Sequence, residues 1–277
     1  MREKLKKIYE ASKELPDIII FILLFFKIFI QKSDVKYRKK NLETINILGN
    51  GPSGIKTYLK NKDDSEKLMC VNYFALTKEF LMFKPAYYTL IDPAYFLDSN
   101  KKNLELIKIL NAVNWNIKLF IPSKYKKVYT NLITNSNIEI NAIRFNYLPG
   151  QNRFVYFLYL KNLAIPKFQN VVVSCIYISL NKGFSKINLH GVEANEFKNF
   201  IVNEKNEVLL ETKHSYGNST INLFEEGRIK KGEFWKFLMH YPIMLKGFSQ
   251  VATYSNYINT KVYNYTKNSY IDSFEKI

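Results

Sequence analysis

Cysteine, glycine and proline are all scarce in this chain of 277 residues, which contains 2 cysteines, 10 glycines and 8 prolines. So little glycine and proline excludes a collagen-like protein or a low-complexity linker, and 47% apolar residues exclude a disordered chain. The two cysteines, Cys70 and Cys175, each lie inside an apolar stretch. A disulfide framework or a cysteine-based zinc site is therefore not expected, and a reducing compartment is.

Arginine is also rare, although the chain is strongly basic. Only five of the 41 Lys and Arg residues are Arg, and with 24 Asp and Glu the formal net charge is +17. Proteins that recognise nucleic acids depend on Arg for bidentate contacts and carry recognisable motifs, and neither feature occurs here. The charge therefore favours an anionic membrane surface or anionic substrates as partners, and no nucleic acid is expected.

The three histidines are dispersed along the sequence without cysteine neighbours, so a zinc site is not expected. His240 lies in an aromatic, helix-like stretch and is predicted to be a packed core residue. His190 comes at the end of a predicted strand, where it either belongs to the core or faces a site. His214 lies in a polar segment typical of a loop, where a histidine is either solvated or functional.

Residues 1–40 differ in composition from the rest of the chain. The apolar run Ile18–Ile30 is interrupted only by Lys27 and has basic residues on both sides. A helix of this length is about 20 Å long, shorter than a bilayer-spanning helix, and no small-residue cleavage site follows it. We predict a membrane-anchoring helix that lies at the bilayer interface. A buried core helix, or a helix that packs between subunits, is the alternative.

Strand-like and helix-like segments alternate over residues 41–277, which we interpret as one α/β domain. Such alternation predicts a largely parallel sheet with helices on both faces. The predicted strands are Thr44–Leu48, Lys67–Val71, Tyr87–Ile91, Ile117–Ile121, Ile187–Leu189 and Lys261–Tyr265. The predicted helices are Ile55–Leu59, Leu104–Leu110, Val171–Leu180 and Gly232–Gln250.

Polar residues and glycines directly follow several predicted strands, at the sheet edge where α/β proteins bind ligands. The first strand leads into the sequence Gly-Asn-Gly-Pro-Ser-Gly, a turn that can present backbone N–H groups to a phosphate. A tight β–α turn without a ligand is the alternative, and the spacing is not that of a P-loop ATPase. Glu193 either orders sugar hydroxyls or caps a helix. The candidate residues at this edge are Gly49, Asn50, Gly51, Ser53, Asn72, Asp92, Gly191 and Glu193.

The order of these residues resembles the bacterial sialyltransferases of glycosyltransferase family 42, and also related surface-polysaccharide transferases. The resemblance runs from about Ile45 to Phe274 and leaves residues 1–40 outside. The matching pieces are Gly49–Ser53, Cys70–Phe74, Asp92-Pro93, Gly183, Gly191–Glu193, His214-Ser215, Asn268-Ser269 and Phe274.

This resemblance implies a Rossmann-like fold of the GT-A variant and an enzyme with a defined chemistry. The enzyme would move sialic acid from CMP-sialic acid to a sugar hydroxyl of a lipooligosaccharide or capsule, with inversion and without a metal cofactor. With the basic anchoring helix predicted above, it would work at the cytoplasmic face of the bacterial inner membrane, as a peripheral or monotopic protein. A homo-oligomer is one candidate for its oligomeric state, which the sequence leaves open. His214 would be the general base. The candidate edge residues would bind the donor, and Asn268 and Ser269 would close the donor site.

The sequence departs from the family pattern in two places. The family has a Tyr pair that hydrogen-bonds the leaving phosphate, whereas the stretch Ala194–Phe200 contains no Tyr, and Tyr216 and Lys198 are the candidate replacements. The family's Arg before the buried helix is also absent. No Asp-x-Asp metal clamp occurs in the chain. The alternatives are a different CMP-activated acidic sugar, a UDP- or GDP-sugar, transfer of a phosphate, and a non-catalytic scaffold of polysaccharide assembly.

Overall fold

The chain folds around a large parallel sheet and carries a second, smaller antiparallel sheet. The computed structural model describes residues 19, 22, 33–35, 37, 39–97, 100–215 and 217–277. In this part of the chain the strands are β1 (Thr44–Leu48), β2 (Lys67–Val71), β3 (Tyr87–Thr89), β4 (Ile117–Pro122), β5 (Ile138–Ile143), β6 (Lys186–His190), β7 (Phe200–Val202), β8 (Val208–His214), β9 (Gly217–Asn222), β10 (Lys261–Asn264) and β11 (Glu275–Lys276).

Helices connect most of these strands, with short 3₁₀ turns between them. The α-helices of the described residues are α1 (Gly54–Asn61), α2 (Lys78–Phe83), α3 (Ala94–Leu97), α4 (Lys101–Ala112), α5 (Lys126–Leu132), α6 (Arg153–Leu160), α7 (Val171–Lys182), α8 (Phe234–Leu238) and α9 (His240–Tyr257).

The main sheet has the strand order β11-β10-β6-β1-β2-β3-β4-β5, and every pairing in it is parallel. Leu48 of β1 pairs with Cys70 of β2 on one side and with His190 of β6 on the other. The chain moves outward from β1 to β5 and then continues with β6 on the other side of β1. The strand order therefore reverses at β1 and β6, which is where open α/β sheets form their ligand crevice.

The inner strands of the main sheet are mostly apolar on both faces because helices cover both. Ile45 and Ile47 of β1 pack in a cluster with residues of α6, α7 and α9, whereas Leu48 packs in a second cluster with residues of α1, α2, α4 and α5. This two-sided burial explains why the strands are nearly continuous apolar runs. The predicted Rossmann-like arrangement, a parallel sheet with helices on both faces, is confirmed.

The strands β7, β8 and β9 form an antiparallel sheet of their own between β6 and α8. Leu210 and Leu223 lie in its small apolar cluster, against which Phe234 and Phe237 of α8 pack. This sheet was not expected from the sequence. Gly217–Asn222, which forms β9, is polar and mostly exposed, so it lacks the apolar signal of a buried strand.

The predicted strand bounds are confirmed at β1 and β2, and the other predicted strands overlap β3, β4, β6 and β10. The predicted helix Gly232–Gln250 is instead two helices, because α8 ends at Leu238 and α9 begins at His240. The prediction that His240 is a packed core residue is wrong, since this side chain is exposed.

The predicted anchoring run, Ile18–Ile30, lies outside the described residues except for Ile19 and Ile22. Asp34 and Val35, later in the 1–40 segment, pack on the domain. The Asp34 N–H donates to the Ala142 carbonyl of β5 (2.8 Å), and Val35 is buried in the main core. Among the helices of the described residues, none combines the length and the apolar character needed to cross a bilayer.

Candidate active site

The carboxyl ends of β1, β2 and β6 meet at a pocket of about 110 Å³, which we call the switch-point pocket. The candidate residues that line it come from distant parts of the chain and are brought together by the reversal of strand order. These residues are Gly49, Asn50, Gly51, Asn72, Gly191, Glu193 and His214. Side chains not anticipated from the sequence complete the lining, among them Asn170, Glu196 and Tyr241.

Glycines allow the turn after β1 to pack directly on the end of β6. A Cβ on Gly49 would lie 2.5 Å from the Gly191 carbonyl oxygen, and one on Gly51 would lie 1.5 Å from Glu193 Oε2. Gly191 has a φ of +63°, and a Cβ there would lie 2.5 Å from Gly54 Cα. Only glycine accommodates both this backbone conformation and this approach.

The backbone N–H groups of the same turn are largely bonded within the protein. Gly49 N donates to the His190 carbonyl (2.8 Å), Gly51 N to the Gly191 carbonyl (3.0 Å), and Ser53 N to Glu193 Oε1 (3.0 Å). The expectation that this turn presents its N–H groups to a phosphate is therefore wrong at these three positions. The turn binds the end of β6 instead.

Glu193 caps α1 rather than the helix that follows it in sequence. Its Oε1 accepts from Ser53 N at the start of α1, where a carboxylate is stabilised by the positive end of the helix dipole. Its Oε2 is buried and has no hydrogen-bond partner among the described residues. One oxygen of this carboxylate therefore remains for a ligand.

Further polar atoms at this edge are buried without a hydrogen-bond partner in the described structure. Such atoms cost about 1–3 kcal/mol each when left unpaired, so a cluster of them is typical of a binding site. Asn72 also has a φ of +52°, a left-handed conformation that is strained for a residue with a side chain. The atoms are Asn50 Oδ1, Ser53 Oγ, Asn72 Oδ1, Glu193 Oε2 and Ser215 Oγ.

The sequence indicates a loop at His214, but in the structure His214 is the last residue of β8. The hairpin pairs it with Gly217, and Ser215 N donates to the Asn50 carbonyl (2.8 Å), so the end of β8 is attached to the turn after β1. Burial lowers the pKa of His214 below its ordinary value, and the nearby Glu196 carboxylate opposes this shift. The imidazole is therefore neutral at pH 7 and able to accept a proton.

Two predicted donor-binding residues, Asn268 and Ser269, do not line the pocket. Ser269 Oγ donates to the Val192 carbonyl (2.6 Å), and the neighbouring Tyr270 N donates to the Glu193 carbonyl (2.8 Å). Asn268 is exposed and does not line the pocket. This loop therefore holds the segment after β6 in place.

Asp92 and His190 do not line the switch-point pocket either. Asp92 is exposed in an adjoining cavity, where its Oδ1 accepts from Ala94 N (2.9 Å). His190 is fully buried, with Nε2 3.0 Å from Asn46 Oδ1 and its ring stacked on Tyr265. Burial lowers the pKa of His190 to about 4. Of the two interpretations of His190, the core position is the one observed.

Three of the pocket residues that the sequence did not indicate are Asn170, Glu196 and Tyr241. Asn170 is the N-cap of α7, where its side chain accepts from Val172 N (2.8 Å), and a polar residue before an apolar helix could have indicated it. Tyr241 and Glu196 gave no such signal. Burial and the Glu196 carboxylate both raise the pKa of Tyr241, so its hydroxyl is protonated.

Of the two candidate replacements for the family's Tyr pair, Lys198 does not line the pocket. Lys198 is exposed and lies 4.7 Å from the centre of the Tyr270 ring, and Tyr216 is not among the described residues. Tyr241 is a tyrosine that does line the pocket. Within the described ranges, no group of three or more His, Cys, Asp or Glu side chains is placed to hold a metal ion.

Comparisons with known proteins relate the chain to others by fold. No protein-family profile and no curated protein matches the sequence. Among solved structures, the MAf glycosyltransferase from Magnetospirillum magneticum AMB-1 superimposes with a TM-score of 0.50 at 13% identity over 89% of this chain. The chain spans about a third of that protein, 35% of its length.

Two structures from Campylobacter jejuni superimpose less well. The sialyltransferase CstII, in complex with a substrate analogue, cytidine-5'-monophosphate, has a TM-score of 0.49 at 12% identity and covers 86% of each chain. The monofunctional alpha-2,3-sialyltransferase Cst-I has a TM-score of 0.43 at 14% identity, over 86% of this chain and 81% of its own. At these identities the comparisons establish a shared fold with the MAf glycosyltransferase.

Proposed function

We propose that this chain is a glycosyltransferase that moves sialic acid, or a related acidic sugar, from a CMP-activated donor to a sugar hydroxyl. The observation that carries the proposal is a neutral, half-buried His214 in the wall of a pocket that also holds buried, unpaired oxygens of Asn50, Asn72 and Glu193. The fold shared with a glycosyltransferase and the ordered motifs of the sequence support it.

In this proposal the switch-point pocket binds the nucleotide part of the donor. Asn50 and Asn72 each direct a buried amide oxygen that can accept from the amino group or a hydroxyl of a nucleoside. Glu193 Oε2 offers a carboxylate oxygen to a ribose hydroxyl. Tyr241 and Asn170, which also line the pocket, donate to the phosphate in this proposal and take the place of the family's Tyr pair.

The chemistry is a direct displacement. The acceptor oxygen forms a bond to the anomeric carbon while the bond from that carbon to the phosphate oxygen of CMP breaks, and His214 takes the proton of the acceptor hydroxyl. The electron pair of the broken bond leaves with CMP, whose phosphate is stabilised by the Tyr241 hydroxyl. Attack opposite to the leaving group inverts the anomeric configuration, and the proposed mechanism has no metal-dependent step.

His214→Gln tests this assignment because glutamine keeps a polar side chain but cannot accept the proton. We expect transfer from CMP-sialic acid to fall by about 10²–10⁴-fold. In the unchanged enzyme, kcat/KM should rise with pH through a pKa below 6.5 and be level above pH 7, since burial lowers the pKa of this histidine. A variant that binds CMP normally and retains full transfer would show that His214 is not the base.

A further inference from the structure

A second, larger cavity of about 440 Å³ opens directly beside the switch-point pocket. The two share residues, so together they form one continuous cleft. The shared residues are Asn72, Asn170, Val171, Glu196, Tyr241 and Met244. A ligand in the second cavity therefore lies next to a ligand in the first, and the proposed function assigns no substrate to this space.

One wall of the second cavity is aromatic. Phe145 and Tyr147 are half-buried with their rings stacked (centroids 5.9 Å apart), and the buried Phe168 supports both from the side, at 5.2 Å and 5.5 Å in edge-to-face geometry. The rings hold one another in place and leave Tyr147 partly open to the cavity. Burial raises the pKa of Tyr147 to about 12, so its hydroxyl stays protonated at neutral pH.

The rim of the same cavity is polar. Asp92, Gln169 and His240 are exposed there, and Glu196 lies where the two spaces join. Lys124, also at the rim, lies 4.6 Å from the centre of the Tyr125 ring. A flat aromatic wall with amide and carboxylate groups around it matches a pyranose, which has C–H bonds on one face and hydroxyls at its edge.

We propose that this cavity binds the acceptor as a neutral pyranose whose C–H face lies on Tyr147 and whose hydroxyls bond to Asp92 and Gln169. This inference rests on the proposed function, because it makes the second cavity the neighbour of a donor site. A neutral sugar is favoured over an acidic one because the described lining has two carboxylates that would repel an acid, Asp92 and Glu196, against one lysine, Lys124. The acceptor hydroxyl then enters the shared part of the cleft, towards His214.

The test compares Tyr147→Ala, Tyr147→Phe and Gln169→Ala in the full-length protein, with Tyr257→Ala as a matched control. Tyr257 is exposed at the end of α9 and lines neither cavity. We expect Tyr147→Ala to raise the acceptor KM for lactose at least tenfold and Gln169→Ala about fivefold. Tyr147→Phe should stay within threefold of the unchanged protein because it keeps the ring. CMP affinity should stay the same in all variants.

Binding of lactose and of methyl β-glucuronide, measured by saturation-transfer NMR without donor, separates this inference from the proposed function. Lactose signals that are lost in Tyr147→Ala, with weaker signals from the glucuronide, support the cavity assignment even if CMP does not bind. Normal CMP binding together with a lactose KM unchanged in both Tyr147→Ala and Gln169→Ala would overturn it. Stronger binding of the glucuronide than of lactose would overturn the neutral-sugar assignment.

Discussion

Gly191 and Gly227 have almost the same backbone conformation in very different surroundings. Their φ angles are +63° and +65°, but a Cβ on Gly191 would lie 2.5 Å from Gly54 Cα, whereas nothing lies within 4 Å of one on Gly227. Because Gly191 has no Cβ, the end of β6 can approach the start of α1. The pocket depends on that approach.

Replacing each glycine by alanine separates backbone strain from steric contact. Gly227→Ala should lower the free energy of unfolding by about 1 kcal/mol, the cost of a left-handed conformation alone. Gly191→Ala should lower it by more than about 3 kcal/mol, since the backbone of α1 must also move. Urea denaturation measures both values. Equal losses would show that the contact between Gly191 and Gly54 has no energetic consequence.

The positions of site residues were predictable from the sequence where those residues closely follow a strand of the parallel sheet. Gly49, Asn72 and Glu193 directly follow strands or lie within three residues of one, so a parallel sheet brings them to one edge. What Glu193 bonds to was not predictable, because the Ser53 N–H is 140 positions away in the chain. The sequence predicts a loop at His214 because β9, the strand that pairs with β8, carries no apolar pattern.

At the scale of elements, α6 and α7 begin in the same way but at different distances from the cleft. Asn152 accepts from Val155 N (2.9 Å) at the start of α6, and Asn170 accepts from Val172 N (2.8 Å) at the start of α7. Asn170 lines both cavities and Asn152 lines neither of them. The two asparagines therefore make the same kind of capping hydrogen bond and differ in that only Asn170 faces the cleft.

Alanine at either cap should cost about 1 kcal/mol of stability, because one N–H at each helix start loses its acceptor. Only Asn170→Ala should also weaken CMP binding, by about tenfold, since its amide is placed to reach the phosphate. Thermal unfolding and calorimetric titration of both variants give the comparison. If Asn152→Ala weakened CMP binding to the same degree, the loss would reflect helix stability rather than a contact.

Several strands of the main sheet were predictable because burial on both faces makes them largely apolar, whereas β5, which contains Glu139 and Asn141, and the two-residue β11 were not predicted. Lys67–Val71 and Thr44–Leu48 were identified with their observed bounds for this reason. The sequence predicts one helix over Gly232–Gln250 because its aromatic pattern is continuous, although Pro242, in the first turn of α9, is a residue type that marks a helix start. Polar β9 gave no strand signal at all.

For the molecule as a whole, the buried His190 links stability to pH. Its pKa of about 4 in the folded chain lies below the ordinary value of about 6.5, so the unfolded chain binds a proton first as the pH falls. The stabilisation present at pH 7 is therefore lost between about pH 6.5 and pH 4, and its total is about 3 kcal/mol.

His190→Gln removes this titration while keeping a side chain that can bond to Asn46. The unchanged protein should lose about 3 kcal/mol more than the variant between pH 7 and pH 4, since all other titrating groups are common to both. Denaturant unfolding at several pH values measures the difference. Parallel stability curves would show that His190 titrates normally and is not buried as described.

The most direct test of the account is a calorimetric titration of the full chain with CMP and with UDP, each in EDTA and in magnesium. The account predicts that CMP binds with a Kd in the micromolar range, that UDP binds at least tenfold more weakly, and that EDTA changes neither value. Preference for UDP, or CMP binding that requires magnesium, would contradict the assignment of the switch-point pocket to a metal-independent CMP-sugar donor.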